Sequence, residues 1–170
     1  VRCGNHTLHL IASSDALEAR NDKVYKKAYD RAMGKVKSLS NSLNRSAKMN
    51  EIFESTTSKA FLQSVSTRWW SEFNSIVRVV EIGLDKVVES QQKLGLTPFT
   101  QSDFKFLESF LQVMKPVVTA MKILEGDTTT YIGQIIPTVM GLERKLQVCT
   151  DSVMKPLAEA MLQGLAERFG

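Results

Sequence analysis

Apolar residues recur every three or four positions along almost the whole chain, the spacing that lines one face of an α-helix. No stretch alternates strictly between apolar and polar residues, and none reads as a hairpin. The pattern predicts seven helical stretches joined by short loops, an all-α multi-helix bundle. The first covers 4–20, with Leu8, Ile11, Ala12 and Leu17 on one face and a weak middle at Ser13-Ser14-Asp15. The second covers 22–43, capped by Asn21 or Asp22. Its inner face is Tyr25, Ala28, Ala32, Val36, Leu39 and Leu43, and the serines and asparagines over 38–44 mark fraying or a turn. The third covers 47–55 with Met49, Ile52 and Phe53 inward, followed by a loop over 55–58. After it, 60–62 is read as extended or as one more helical turn.

The fourth stretch is the most regular. Trp69, Phe73, Ile76, Val77, Val80, Leu84, Val87 and Val88 form one stripe over 67–94, a single helix of ~40 Å. Thr67 can cap its start, Gly95 can end it in the left-handed conformation, and Gly83 is a mild interior weakness. The fifth, 101–125, opens on Thr100-Gln101-Ser102-Asp103, which resembles a capping box with Asp in the Glu position. Its stripe is Phe104, Leu107, Leu111, Met114, Val118 and Met121, and Pro116 implies a kink. The sixth, 131–149, places Ile132, Ile135, Ile136, Val139, Leu142, Leu146 and Cys149 inward, with a kink at Pro137. The seventh, 151–169, spaces Val153, Leu157, Met161, Leu165 and Phe169 by four.

Composition narrows the class without naming a chemistry. A chain of 170 residues suits one domain, or one domain and part of another, and can bury roughly 70% of its unfolded surface. Four prolines and nine glycines argue against disorder and against a turn-rich β fold. No apolar run approaches the ~20 residues that span a bilayer. The net charge is +4, and part of the excess is concentrated: residues 23–48 hold eight lysines and arginines against Asp30 alone. That permits contact with nucleic acid without demanding it, and a solvated helix face is the better explanation. Two cysteines make no disulfide framework, which points to a reducing intracellular setting. The chain opens on Val1 and closes in helical register at 166–170, so a segment of a longer protein, extending both ways, is expected.

Candidate chemistry is sparse. Cys3-x-x-His6 puts a thiol and an imidazole one helical turn apart, with His9 one turn further on. A structural zinc needs four ligands, and no second Cys/His pair exists; the bland alternative is a packed helix with Cys3 buried. Cys3 as a nucleophile with His6 as base lacks an orienting group and an oxyanion motif. There is no Gly-rich phosphate loop and no nucleophile elbow. Asp15, Asp22, Asp127 and Asp151 fall near helix ends, where capping or turn roles suffice. No catalytic residue and no metal ligand are therefore predicted. Thr67-Arg68-Trp69-Trp70 holds both tryptophans of the chain. Trp69 shares a stripe with Phe73 and Ile76, so it should be at least half buried; Trp70, about 100° around the helix, falls at the stripe's edge. Either ring can anchor a core or stack on a ligand, and Arg68 can serve a phosphate or an acidic neighbour.

The ordered set of motifs resembles a known family. Arg2-Cys3-Gly4-Asn5-His6-Thr7-Leu8-His9-Leu10 is similar to the C-x-x-H-x-L-N-L signature of hAT (hobo–Activator) transposases and their domesticated relatives. Thr67-Arg68-Trp69-Trp70-Ser71 resembles their T-R-W-N-S motif, with Trp70 in place of Asn. Leu111 to Pro116, then Leu124-Glu125-Gly126-Asp127 and Ile136-Pro137, resemble the L-x-x-x-K-P, L-x-G/S-E and I-P run of the same family. The resemblance spans nearly the whole chain and rests on order and spacing, since each motif alone is weak.

It implies that 1–20 is a helix bordering an RNase H-like core and that 21–170 is the helical insertion domain, with a possible sub-boundary near 56–66. The catalytic sheet would be largely absent, and all three catalytic acids would lie outside the chain. This segment would then be a non-catalytic scaffold contacting DNA ends, and the divalent metal, such as Mg, would belong to an intact parent. DNA-binding residues by resemblance are Arg68, Trp69, Trp70, Cys3 and His6, with Trp69 matching the tryptophan that stacks near the transposon-end hairpin or flipped base. Implied partners are DNA at transposon ends or genomic sites, and self-association through other parts of the parent; no membrane and no small-molecule substrate are implied. A nuclear location follows from the same resemblance. The rival expectation is a domesticated helical protein-interaction module with no DNA role.

Overall fold

The apolar stripes do form helices. A computed structural model describes residues 4–61, 68–125 and 132–170, and among these there are helices and no strands. The fold is all-α: α1 Gly4–Ser13, a 3-10 segment Asp15–Asn21, α2 Lys23–Arg45, α3 Ala47–Thr57, α4 Arg68–Ile82, α5 Leu84–Lys93, α6 Gln101–Leu124, α7 Ile132–Gln147 and α8 Lys155–Phe169. The chain divides into two compact units, 1–26 with 112–170, and 27–111.

In the first unit, α8 packs on the 3-10 segment, on α7 and on α1. Leu8, Ile11, Leu142, Met154, Leu157, Met161 and Leu165 are buried. The predicted weak point at Ser13-Ser14-Asp15 is where the first helix stops and the tighter 3-10 segment begins. Arg168 near the end of α8 donates two bonds of 2.7 Å to the two carboxylate oxygens of Asp15, a bidentate clamp. Gly164 permits that clamp, because a Cβ there would overlap the Asp15 carboxylate. Asp151 does not start a helix at once. Its side chain accepts the Val153 N–H at 2.9 Å and the Met154 N–H at 3.3 Å, forming a turn, and α8 follows with Pro156 in its first turn. On α7, Ile136 is exposed rather than inward, because the buried line runs through Val139, Leu142 and Leu146 and Ile136 sits off it.

In the second unit, α5 packs on α3 and α4. Ala32, Met33, Val36, Leu39, Phe53, Ile76, Val79 and Leu107 are buried. The start of α2, which belongs to the first unit, is capped as expected by Asp22, which accepts the Tyr25 N–H at 2.8 Å. α2 then continues through its serines and asparagines to Arg45. Each of those residues costs only a few tenths of a kcal/mol in a helix, while Leu39 and Leu43 are buried. α3 likewise runs past the expected loop to Thr57 and ends at Ser58 in the left-handed conformation, φ 58. Phe61 is buried and outside any helix, edge-to-face with Phe53 at 5.6 Å.

The single long helix expected over 67–94 is two helices. Gly83, at φ 91 and ψ 154, breaks it; only glycine occupies that backbone region without strain. The stripe continues across the break, so the apolar pattern alone does not reveal it. The buried line of α4 is Phe73, Ile76 and Val79, not Val77 and Val80. Gly95 ends α5 as predicted, at φ 68. Its N–H donates to Gln92 O at 3.2 Å and the Leu96 N–H donates to Gln91 O at 2.8 Å, a Schellman motif. The buried Gln91 side chain pins the following loop, donating to Thr97 O and accepting from the Phe99 N–H. α6 opens on the predicted capping box: Thr100 N–H donates to Asp103 at 2.9 Å, and Asp103 N–H donates to Thr100 Oγ1 at 3.2 Å. α6 and α7 both continue past their internal prolines.

Candidate nucleic-acid interface

The tryptophan pair occupies the first turn of α4, in the second unit. Trp69 and Trp70 are both half-buried. Their rings meet edge-to-face with centroids 5.0 Å apart, and Trp70 stacks on Phe73 at 6.0 Å with 25° between planes. Phe73 is buried. The three rings form a braced cluster rooted in the core and open to solvent along part of its surface. Arg68 is the first residue of α4, and its side chain lies outside the described atoms; so does the expected cap, Thr67.

Glu72 ties this turn to α2. It accepts the Tyr29 hydroxyl at 3.4 Å and pairs with Lys37 at 3.2 Å. Tyr29 is held in turn against Phe106 and Phe110 of α6, at 6.4 and 6.3 Å between centroids. The aromatic pair is thus joined to the helix that holds most of the basic excess. On α2 the buried line through Ala32, Val36, Leu39 and Leu43 leaves Lys27, Arg31, Lys37 and Arg45 exposed. Lys27, Arg45 and, on α3, Lys48 have no ion-pair partner among the described residues.

Arg31 and Lys35 are committed elsewhere. Both contact the carboxylate of Asp103, whose side chain has no exposed surface. Burial alone would push that carboxyl up. The Lys35 ammonium, the Thr100 backbone N–H, the Arg31 guanidinium and the Thr100 side chain outweigh burial and hold it at about 2, below its ordinary 3.8. The capping-box aspartate therefore also fastens α6 to α2. The Thr100–Asp103 spacing is visible in sequence. Its pairing with residues some seventy positions away leaves no local signal.

The remaining expected site residues are Cys3 and His6. Cys3 lies outside the described residues. His6 is exposed on α1, in the other unit, and Gly4 beside it packs closely on Leu124 and Ile135. Cys149 is a half-buried free thiol. Among the described residues no three His, Cys, Asp or Glu side chains stand together as a cation site. Asp22 is engaged at the start of α2, Asp151 in the turn before α8 and Asp15 in the clamp, while Asp127 lies outside the described residues. Among the described residues no helix is long and apolar enough to cross a membrane.

Compared with family models, with curated proteins and with solved structures, the chain matches none.

Proposed function

We propose that this chain is a non-catalytic helical part of an hAT-transposase-like DNA-binding protein, in which the tryptophan pair stacks on an exposed base or hairpin end. The observation that carries the reading is the half-open Trp69–Trp70 cluster, braced by Phe73 and joined through Glu72 to the basic helix α2. Stacking platforms beside unpaired cations are how proteins hold unstacked nucleic acid. The pair stands at the N-terminal end of α4, the positive end of the helix dipole. Arg68, Cys3 and His6 enter only through the resemblance, as do the nuclear location and the metal of an intact parent. The segment itself performs no strand cleavage; robust metal-dependent cutting of a hairpin substrate by this chain would refute that.

The test separates stacking from packing. Trp69→Ala and Trp70→Ala are compared for unfolding and for affinity toward a hairpin DNA. On this reading at least one of them loses about 1–3 kcal/mol of binding and keeps a cooperative melt. The rival reading, a protein-interaction module whose tryptophans only fill a core, is favoured by the aromatic packing on Phe73. It expects a stability loss of several kcal/mol, as core truncation gives, and no hairpin binding by the unmodified chain.

A further inference from the structure

Both tryptophans of the chain stand in the first turn of α4, and a carboxylate stands beside them. Glu72 follows Trp69 by three residues, so the two side chains are neighbours on the helix surface. Its partners come from α2, within the same compact unit. Tyr29 donates its hydroxyl to Glu72 Oε1 at 3.4 Å, and the Lys37 ammonium stands 3.2 Å from the same oxygen. The ion pair thus carries a cation of α2 to the tryptophan turn.

The two partners are not held equally. The Lys37 side chain is 54% exposed and that of Glu72 22%. A pair this open is worth no more than about fivefold in an equilibrium. Its ammonium can exchange the carboxylate for a phosphate, and the counterions that the phosphate held are then released. Glu72 is not stranded by the exchange, because it keeps the hydroxyl of Tyr29, which packs on Phe106 and Phe110. We propose that Lys37 is the phosphate-binding residue of the tryptophan site. It leaves Glu72 for a phosphate of the strand whose base stacks on the pair, and Glu72 is the positioning residue that holds it beside the platform beforehand. The inference rests on the nucleic-acid reading given above and adds the cation that reading lacks. Unlike Lys27, Arg45 and Lys48, Lys37 must give up an ion pair to bind, so Glu72 limits the affinity of the site. A purely structural pair makes the contrary prediction: loss of Glu72 weakens the fold and strengthens no binding.

The test titrates the 170-residue chain with a single-stranded oligonucleotide of mixed sequence at several salt concentrations. Both tryptophans lie in this site, so their fluorescence reports binding at it. Lys37→Gln should reduce the magnitude of the slope of log K against log salt by about 0.7, one phosphate on a single strand. Glu72→Gln keeps an acceptor for Tyr29 and removes the competitor for Lys37. It should raise affinity by about two- to fivefold and leave the slope as it was. In the double variant that gain should vanish, leaving only what Glu108→Gln produces, the same charge change at an exposed residue of α6 in the same unit. Thermal melting verifies the fold of each variant, and Lys37→Gln, at an exposed position, carries the slope criterion by itself. The inference is overturned if Lys37→Gln leaves the slope unchanged, if Glu72→Gln gains no more than Glu108→Gln, or if the gain persists in the double variant. Should the unmodified chain bind with a change in tryptophan fluorescence while these variants behave like it, the site holds nucleic acid without Lys37 and only this inference fails. Should the unmodified chain give no such change at any salt concentration, the nucleic-acid reading fails and the inference falls with it.

Discussion

Asp103 is a carboxylate without exposed surface that nonetheless stays ionised, because Lys35, Arg31 and Thr100 surround it. Its displacement from 3.8 to about 2 is a statement about stability. A carboxyl with a depressed folded-state pKa stabilises the fold above its unfolded value and loses that contribution as pH falls through its folded value. The contribution is roughly 2 kcal/mol, fully present above about pH 4 and gone near pH 2. Asp103→Asn should therefore lower unfolding stability at neutral pH by at least about that much, since Lys35 is left charged and nearly buried. Denaturant titrations of both proteins across this range provide the check. The gap between them should narrow as pH falls from 4 to 2; a gap that stays constant would show that the carboxylate charge is not the stabilising element. Trp69 and Trp70 pose the opposite problem at the same scale. Their aromatic faces contribute to packing and remain partly open, so truncation reports on both stability and binding, and the two must be measured together.

At the scale of elements, what is legible in the sequence is whatever local physics determines. The stripes of α2 and α6, the Asp22 cap, the Thr100–Asp103 box and the Gly95 stop all depend on residues within a turn or two of each other. Failures of the pattern have equally local explanations. Gly83 keeps the stripe in phase on both sides, so a continuous helix and a broken one look alike in periodicity; only the backbone angles of 91° and 154° separate them. The two states make opposite predictions for Gly83→Ala. In an unbroken helix the change would stabilise by roughly 1 kcal/mol. At the observed angles it should destabilise by about 1–3 kcal/mol. Urea unfolding of the variant decides between them by sign alone, and a stabilised protein would overturn the break between α4 and α5. Ile136 shows a second limit. Periodicity marks an apolar residue near the stripe, but neighbouring elements decide whether it is covered, and here none covers it. The candidate site was partly legible for the same reason: Trp69 and Trp70 stand next to each other in the chain, whereas their link through Glu72 to Lys37 and Tyr29 joins residues far apart in it.

For the molecule as a whole, the distribution of charge matters more than its sum. Residues 23–48 hold eight of the 22 basic residues and one of the 18 acidic ones, so the remainder carries fourteen basic against seventeen acidic residues. The positive balance of the chain therefore resides in α2 and the start of α3. If that surface follows a nucleic-acid backbone, binding must release counterions and weaken with salt. The slope of log K against log salt is about −0.9 for each phosphate neutralised on duplex DNA and about −0.7 on single strands. Within residues 27–48, Lys27, Arg45 and Lys48 are the cations most available for this, since ion pairs within the fold occupy Arg31, Lys35 and Lys37. Replacing those three with Gln should reduce the magnitude of the slope by roughly 2–3, while the melt changes little because exposed, unpaired charges add little stability. Replacing Lys115 and Lys122 with Gln is the matched control, removing exposed charge from α6 in the other unit. On the DNA reading it should leave the slope unchanged. If instead both sets reduce it in proportion to the charge removed, the chain attracts nucleic acid only through its net charge and α2 holds no defined tract. If neither set alters it, the basic helix is a solvated face and the tryptophan pair must be judged on stacking alone.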